Sequence, residues 1–316
     1  MAHSLFPGRL RLPVISAPMF RVSGPDLVIA ACRAGVIGAF PAANCRSVKE
    51  LDAWLSRITS ALTPQDAPFC PNLIIRHEAL AEQLAVLLRH RVEMVITSVG
   101  SPAEVVAPLH RAGCQVFADV ASLRHAHKAL EAGADGLVLL SAGAGGQTGW
   151  VNGFAFVRAV RTFFDGPLVL AGGMSDGHAV WAAQALGCDL AYMGTRFIAT
   201  QESLAEPDYK QMLVASELDD VLLSDAFTGL PANMLKPSVL AAGLDPEALP
   251  QGLRQEGAAR LLGASGQALR GWRDVWSAGH SVSGVRSVIA VAELVTTLRS
   301  EYAAARAASS AFAPTL

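Results

Sequence analysis

Leu137-Val138-Leu139-Leu140-Ser141-Ala142-Gly143-Ala144-Gly145-Gly146-Gln147-Thr148-Gly149-Trp150 joins four consecutive apolar residues to a loop that carries four glycines. A short run that is apolar at every position reads as a strand buried on both faces. The loop behind it can press its backbone against a ligand and turn amide N–H groups inward, because no Cβ stands in the way. Gln147, in the middle of the loop, donates and accepts hydrogen bonds but takes up no proton near neutral pH.

Outward from this strand the same unit repeats. Upstream, strands are expected at Leu12 to Ala17, Val36 to Phe40, Phe69 to Ile75, Val92 to Ser98 and Cys114 to Val120. Helical patterns fall between them at Pro25 to Ala34, Ser47 to Ala61, Glu78 to Arg91, Pro102 to Ala112 and Ser122 to Ala132. Ser47 with Glu50 makes a capping-box start, and Gly24 and Gly35 bracket the first helix. Downstream come a helix from Phe154 to Phe164, a strand at Leu168 to Ala171, a helix from Asp176 to Leu186 and a strand at Asp189 to Met193. The short run Arg196 to Ala199 opens the eighth helix. Strict alternation with short connections demands parallel strands, and eight such units predict a (β/α)8 TIM barrel rather than an open sheet.

After Thr200 the rhythm stops. Residues 202–282 hold acidic and proline-punctuated pieces with no clear strands and helical patterns at Arg254 to Leu262 and Ser265 to Ala278. They read as a smaller, mostly helical subdomain inserted after strand eight, forming a lid over residues 1–201. A last helix, Val288 to Ala305, places residues 283–306 back on the barrel, and the tail 307–316 is expected to be disordered.

The chain has 316 residues, 52% apolar and 16% charged, which supplies one large core. Mean hydropathy is +0.36. The apolar runs nevertheless break before the roughly 18 residues a spanning helix needs, so no membrane role is expected. The N-terminus lacks the apolar run of a signal peptide, which points to the cytoplasm. A net charge of −2 leaves no basic face for nucleic acid. The five cysteines are widely spaced, without a C-x-x-C pair, and read as buried reduced thiols. No His, Cys and Asp set has metal-ligand spacing, so no metal is expected. A small-molecule substrate is the expected partner, and nothing in the chain excludes a homodimer.

In such a barrel the ligand site lies at the C-terminal strand ends. The strand reading therefore nominates Ala17, Pro18 and Met19 after strand one, Ala42-Ala43-Asn44 after two, Asn72 to His77 at three and Thr97-Ser98 at four. Asp119 lies at five, and Ala144, Gly145, Gly146 and Gln147 follow six. Gly172 and Gly173 follow strand seven, and Gly194 and Thr195 follow eight. The last two turns set glycines between an apolar strand and a helix start, where barrels commonly hold a phosphate on backbone amides. His77, His125, His127, Lys128 and His178 read as surface or rim residues. His280 is a candidate to close over the site, and Trp272 and Trp276, four residues apart, are expected to pack the subdomain.

Four of these motifs together carry a family resemblance: Ala17-Pro18-Met19, the Gly-Ala-Gly-Gly-x-x-Gly loop, Leu170-Ala171-Gly172-Gly173 and Tyr192-Met193-Gly194-Thr195-Arg196-Phe197. The chain resembles the nitronate monooxygenases, FMN-dependent TIM barrels akin to FMN-containing enoyl reductases and to NADH:quinone reductases. The resemblance implies FMN, with its ring near Pro18, Met19 and Asn72 and its phosphate on Gly172, Gly173, Gly194 and Thr195. It implies oxidation of a nitronate by O2. One residue departs from the family pattern. The glycine loop of the family's oxygenases and enoyl reductases carries a histidine that acts as base or substrate partner, and here the position is Gln147. An imidazole can take a proton from the carbon beside a nitro group at pH 7, whereas a carboxamide cannot. Deprotonation of a nitroalkane by residue 147 is thus excluded, while oxidation of a preformed nitronate stays open. NAD(P)H-dependent reduction of a quinone or enoyl compound is the alternative, and a non-redox barrel that binds a phosphate ligand is a further one.

Overall fold

The computed structural model describes residues 5–252 and 273–311. Eight parallel strands close a barrel: β1 (Val14–Ser16), β2 (Ile37–Pro41), β3 (Phe69–Ile74), β4 (Met94–Ser98), β5 (Gln115–Val120), β6 (Gly136–Leu140), β8 (Leu168–Ala171) and β9 (Leu190–Met193). The two-residue strand β7 (Gly146–Gln147) lies in the glycine loop outside the barrel. Closure comes from β1, which pairs with β2 on one side and with β9 on the other. The barrel read from the sequence is the observed fold.

Helices α1 (Pro25–Ala34), α2 (Val48–Ala61), α3 (Leu80–Arg89), α4 (Ala103–Arg111), α5 (Leu123–Glu131), α6 (Gly153–Val160), α7 (Gly177–Leu186) and α8 (Thr195–Ile198) alternate with the strands. Their starts follow local chemistry. The side chains of Ser47, Ser122, Asn152 and Asp176 each accept a backbone N–H from the first turn of the helix that follows, satisfying donors that a helix leaves orphaned. Inside the barrel Ile15, Ile37, Cys70, Met94, Ile96, Phe117, Val138, Val169 and Leu190 form one buried cluster. Leu5, with Phe6 and Leu10, joins this cluster from the N-terminal segment. Large side chains thus fill the interior.

The segment after β9 needs correction. It contains helices α9 (Pro207–Ala215) and α10 (Lys236–Ala241), but also strands β10 (Val221–Ser224) and β11 (Ala232–Leu235), where no strand was expected. These two pair antiparallel, and β11 pairs in turn with β7, so the insertion is stitched to the glycine loop by a three-stranded sheet in the order β10-β11-β7. Each strand spans four residues, too few to show a period. The helix expected at Arg254 to Leu262, the first part of the one at Ser265 to Ala278, and Trp272 lie outside the described residues. Residues 273–278 are not helical. They run beside β11, where the Leu235 amide donates to the Trp276 carbonyl.

The closing helix α11 (Val291–Ala311) runs past the expected Ala305. Residues 307–311 are helical rather than disordered, because alanine-rich sequence favours the helix and the end is tied down. Trp181 Nε1 on α7 donates to Ser309 Oγ at 2.7 Å. Among the described residues no helix is long and apolar enough to cross a membrane.

Candidate active site

A cavity of about 410 Å3 opens at the C-terminal ends of the barrel strands. That lies within the range of small-molecule pockets, roughly 300–1,000 Å3. Ala17, Pro18, Met19, Asn72, Asp119, Ala144, Gly145, Gly146, Gln147, Gly172, Gly173, Gly194 and Thr195 all line it. Thr97 does not. It is 1% exposed, and its hydroxyl donates to the Phe117 carbonyl at 3.0 Å, so it holds β4 to β5 and offers nothing to a ligand.

Each wall is positioned by hydrogen bonds that span the chain. Asn44, read as a strand-end candidate, turns away from the cavity and braces the β1 loop: its Nδ2 donates to the carbonyls of Met19 at 3.1 Å and Ser23 at 2.9 Å. Asn72 Nδ2 donates to the Ile96 carbonyl at 3.2 Å, which fixes its amide at the cavity wall. The glycine loop is held from the far side. Asn233 Nδ2 on β11 donates to the Ala144 carbonyl at 2.7 Å. Ser277 Oγ accepts the Gly146 amide at 2.6 Å and donates to the Asn233 carbonyl at 2.7 Å. Gly145 and Gly279 meet here back to back, and a Cβ on Gly145 would stand 2.8 Å from the Gly279 nitrogen. Gln147, on the sheet's edge opposite Ala232, is thereby fixed by its backbone while its side chain stays exposed at the rim.

Across the cavity lie the two glycine corners. Gly173 has φ +70°, and a Cβ built there would meet nothing within 4 Å, so the space above it is open to an occupant. A Cβ on Gly194 would make only ordinary van der Waals contacts, with Met19 Sδ at 3.5 Å and Ala17 Cβ at 3.8 Å. Among the described residues the amides of Gly173, Gly194 and Thr195 are spent on no other protein group. Thr195 Oγ1 accepts the Gly279 amide at 2.9 Å, which leaves the hydroxyl proton free to donate. An anionic group seated between the corners would find these donors converging on it.

Asp119 sits on the cavity floor, and burial pushes its carboxyl up to about 7. Its Oδ1 is buried with no hydrogen-bond partner. Burial likewise raises the Tyr192 and Tyr209 phenols, so both are neutral. The five cysteines are unpaired thiols. Burial pushes Cys32, Cys45, Cys114 and Cys188 up to about 12 and Cys70 well above its ordinary value, which makes all five poor nucleophiles.

The remaining titratable candidates lie elsewhere. His77 Nδ1 accepts the Ala79 amide at 3.1 Å, His127 stacks on Phe163 with ring centroids 4.1 Å apart, and neither lines the cavity. His280 is exposed and lies against Gly143, and it does not line the cavity. Ser98, nominated together with Thr97, lines the cavity, and Tyr192, Tyr209, Ser277 and Ser281 line it unforeseen. Tyr192 could have been found by counting in twos from the inward-facing Leu190. Tyr209 carried no local signal: its hydroxyl donates to the Ser277 carbonyl, and its ring stacks on Trp276 at 5.0 Å and 12°.

A family model described as nitronate monooxygenase matches residues 76–301. The chain belongs to the nitronate monooxygenase family. It is thus one of a family of flavin-dependent oxidoreductases. Over 228 residues it is 32% identical to the (3aS,4S,5R,7aS)-5-hydroxy-7a-methyl-1-oxo-octahydro-1H-indene-4-carboxyl-CoA dehydrogenase of Rhodococcus jostii, covering 72% of this chain and 64% of that protein. The nitronate monooxygenase of Paraburkholderia phytofirmans is 29% identical over 284 residues, covering 74% of this chain and 76% of the other. Among solved structures, FabK from Thermotoga maritima superposes with a TM-score of 0.82 at 25% identity over 96% of each chain. The nitroalkane oxidase from Streptomyces ansochromogenes does so with 0.79 at 26%, over 95% of this chain and 98% of that one. Monooxygenase and dehydrogenase names thus both occur among the relatives of this member of the nitronate monooxygenase family.

Proposed function

We propose that this protein binds FMN in the barrel cavity and uses it to oxidise a preformed alkyl nitronate with O2. The observation that carries the flavin assignment is the pair of glycine corners. Space that a Cβ at Gly173 would fill, and three unspent amides beside a free hydroxyl proton at Thr195, suit a dianionic phosphate. The remaining cavity, with Pro18, Met19 and Asn72 on one side and the glycine loop on the other, suits a planar ring. Bound there, the flavin supplies the two-electron redox chemistry.

The chain's own part is positioning. Gln147, held at the rim by β11, presents a carboxamide N–H that can donate to a nitronate oxygen and stabilise the charge there. Gln147 removes no proton, which suits a substrate that arrives already ionised. Tyr209 and the apolar side chains of Val22, Ile198 and Met174 wall off the cavity and limit water in it. The test is oxygen uptake by the FMN-loaded protein with propyl-2-nitronate. The proposal expects consumption well above that of free FMN, and consumption no greater than free FMN would remove it.

Gln147 favours one second reading, in which a flavin reduced by NADH or NADPH passes electrons to a quinone or enoyl compound whose oxygen the carboxamide holds. Anaerobic bleaching of the flavin by either nucleotide, without nitronate turnover, would select that reading.

A further inference from the structure

Asp119 stands apart chemically from everything around it. Among the residues of the eight barrel strands it is the only Asp, Glu, Lys, Arg or His. Among the described residues that line the cavity it is again the only one. The strands that flank it, β4 and β6, bring no charged group. Facing it are the Tyr192 phenol from β9 and the Cys70 thiol from β3, which feel its charge and are themselves kept neutral by burial. On β4, Thr97 is spent on the Phe117 carbonyl, and Ser98, which shares the cavity wall with Asp119, is hydrogen-bonded to the Asn72 side chain. Beneath lie Ile96, Phe117 and Val138, all 0% exposed. The carboxyl therefore has no counter-charge, and its Oδ1 has no donor. A carboxylate with one oxygen left in that condition is costly, and the half-buried residue itself lines the cavity that an occupant would fill.

We infer that Asp119 is the proton reservoir of the bound flavin: ionised beside the oxidised ring, it takes up a proton from water when the ring is reduced. The inference rests on the flavin assignment above. The argument is electrostatic. Two electrons and one proton entering the ring leave it with one negative charge. A second anion at Asp119, in the same dry cavity, then becomes more costly, so the carboxylate binds a proton and the pair carries one charge instead of two. The balance is two electrons from the reductant and two protons from solvent, one to the ring and one to Oδ1 or Oδ2 of Asp119. Burial already pushes the carboxyl to about 7, so above neutral pH a modest added charge is enough to protonate it. Asp119 acts here as a positioning and tuning residue for the flavin, a role separate from that of the exposed Gln147.

The test is the midpoint potential of the FMN-loaded full-length protein against pH, by anaerobic dithionite titration with indicator dyes between about pH 7 and 9. Each proton taken up per two electrons lowers the potential by about 30 mV per pH unit. The wild type should take up more protons per two electrons than Asp119→Asn, approaching two against one about a pH unit above 7. Asp119→Ser, a smaller change, should also show one, and serves if the amide folds poorly. FMN content is measured on every sample. Equal slopes in flavin-loaded wild type and both variants would overturn the inference and leave the flavin site standing. Failure of the wild type to bind FMN would overturn the site assignment and the inference with it.

Discussion

The backbone amide of Gly279 donates to Oγ1 of Thr195 at 2.9 Å, joining the segment that returns from the insertion to the corner after β9. The hydroxyl therefore has two tasks, accepting a buried N–H on one side and offering its proton to the proposed phosphate on the other. Thr195→Val removes both at nearly constant volume. A buried unpaired amide costs about 1–3 kcal/mol. Urea unfolding should show that loss, and FMN affinity, read by fluorescence quenching, should fall about tenfold. Thr195→Ser should keep most of each. A valine variant with unchanged affinity would show that the hydroxyl meets no phosphate.

Gly173 separates backbone strain from ligand clash. An alanine there would adopt φ +70°, at roughly 1–2 kcal/mol, yet would touch no protein atom. Gly173→Ala should therefore remain folded with a small drop in melting temperature. Its FMN affinity should fall far more than its stability, because the methyl enters the phosphate's space. Equal losses in the two measurements would mean that the corner holds no ligand.

Ser277 ties the glycine loop to β11 through two hydrogen bonds. Ser277→Ala leaves the Gly146 amide and the Asn233 carbonyl without that partner, and should cost about 1–3 kcal/mol. The effect should be local, with faster amide hydrogen exchange at Gly146 and Gln147 while the barrel strands stay protected. Uniformly faster exchange across the barrel would contradict the anchoring role.

Asp119 gives the FMN-free protein a pH dependence of definite sign. Its carboxyl lies at about 7 in the folded chain, against an ordinary 3.8. Between these values the folded state keeps a proton that the unfolded chain has released. Stability therefore falls as pH rises through this window and levels off above about 7, by on the order of 4 kcal/mol in all. The difference between wild type and Asp119→Asn in urea unfolding at pH 5 and pH 8 isolates this contribution. A difference that does not change with pH would show the carboxyl to be unshifted.

Much of this was legible in the chain, for reasons that also explain what was not. Leu137 to Leu140 and Leu168 to Ala171 announce buried parallel strands by being apolar throughout, and barrel geometry then places Asp119, Gly172 and Gly194 at one mouth. Thr97 misled because strand-end position says nothing about which way a side chain faces, and its hydroxyl had a backbone carbonyl within reach. The sheet formed by β7, β10 and β11 escaped because two to four residues show no period. Ser277 and Tyr209 reach the cavity only through contacts between segments 68 residues apart, which local patterns cannot carry.

Gln147 bears the most specific claim about substrate, since its carboxamide can hold a nitronate oxygen but cannot generate the nitronate. Gln147→His restores a group able to take the proton. The decisive measurement is oxygen uptake by FMN-loaded wild type and Gln147→His, each given neutral 2-nitropropane and preformed propyl-2-nitronate at pH 7. Wild type should consume oxygen with the nitronate alone, and the histidine variant should gain at least tenfold with the nitroalkane. Equal rates on the two substrates in the wild type, or a histidine variant with no gain, would contradict the account.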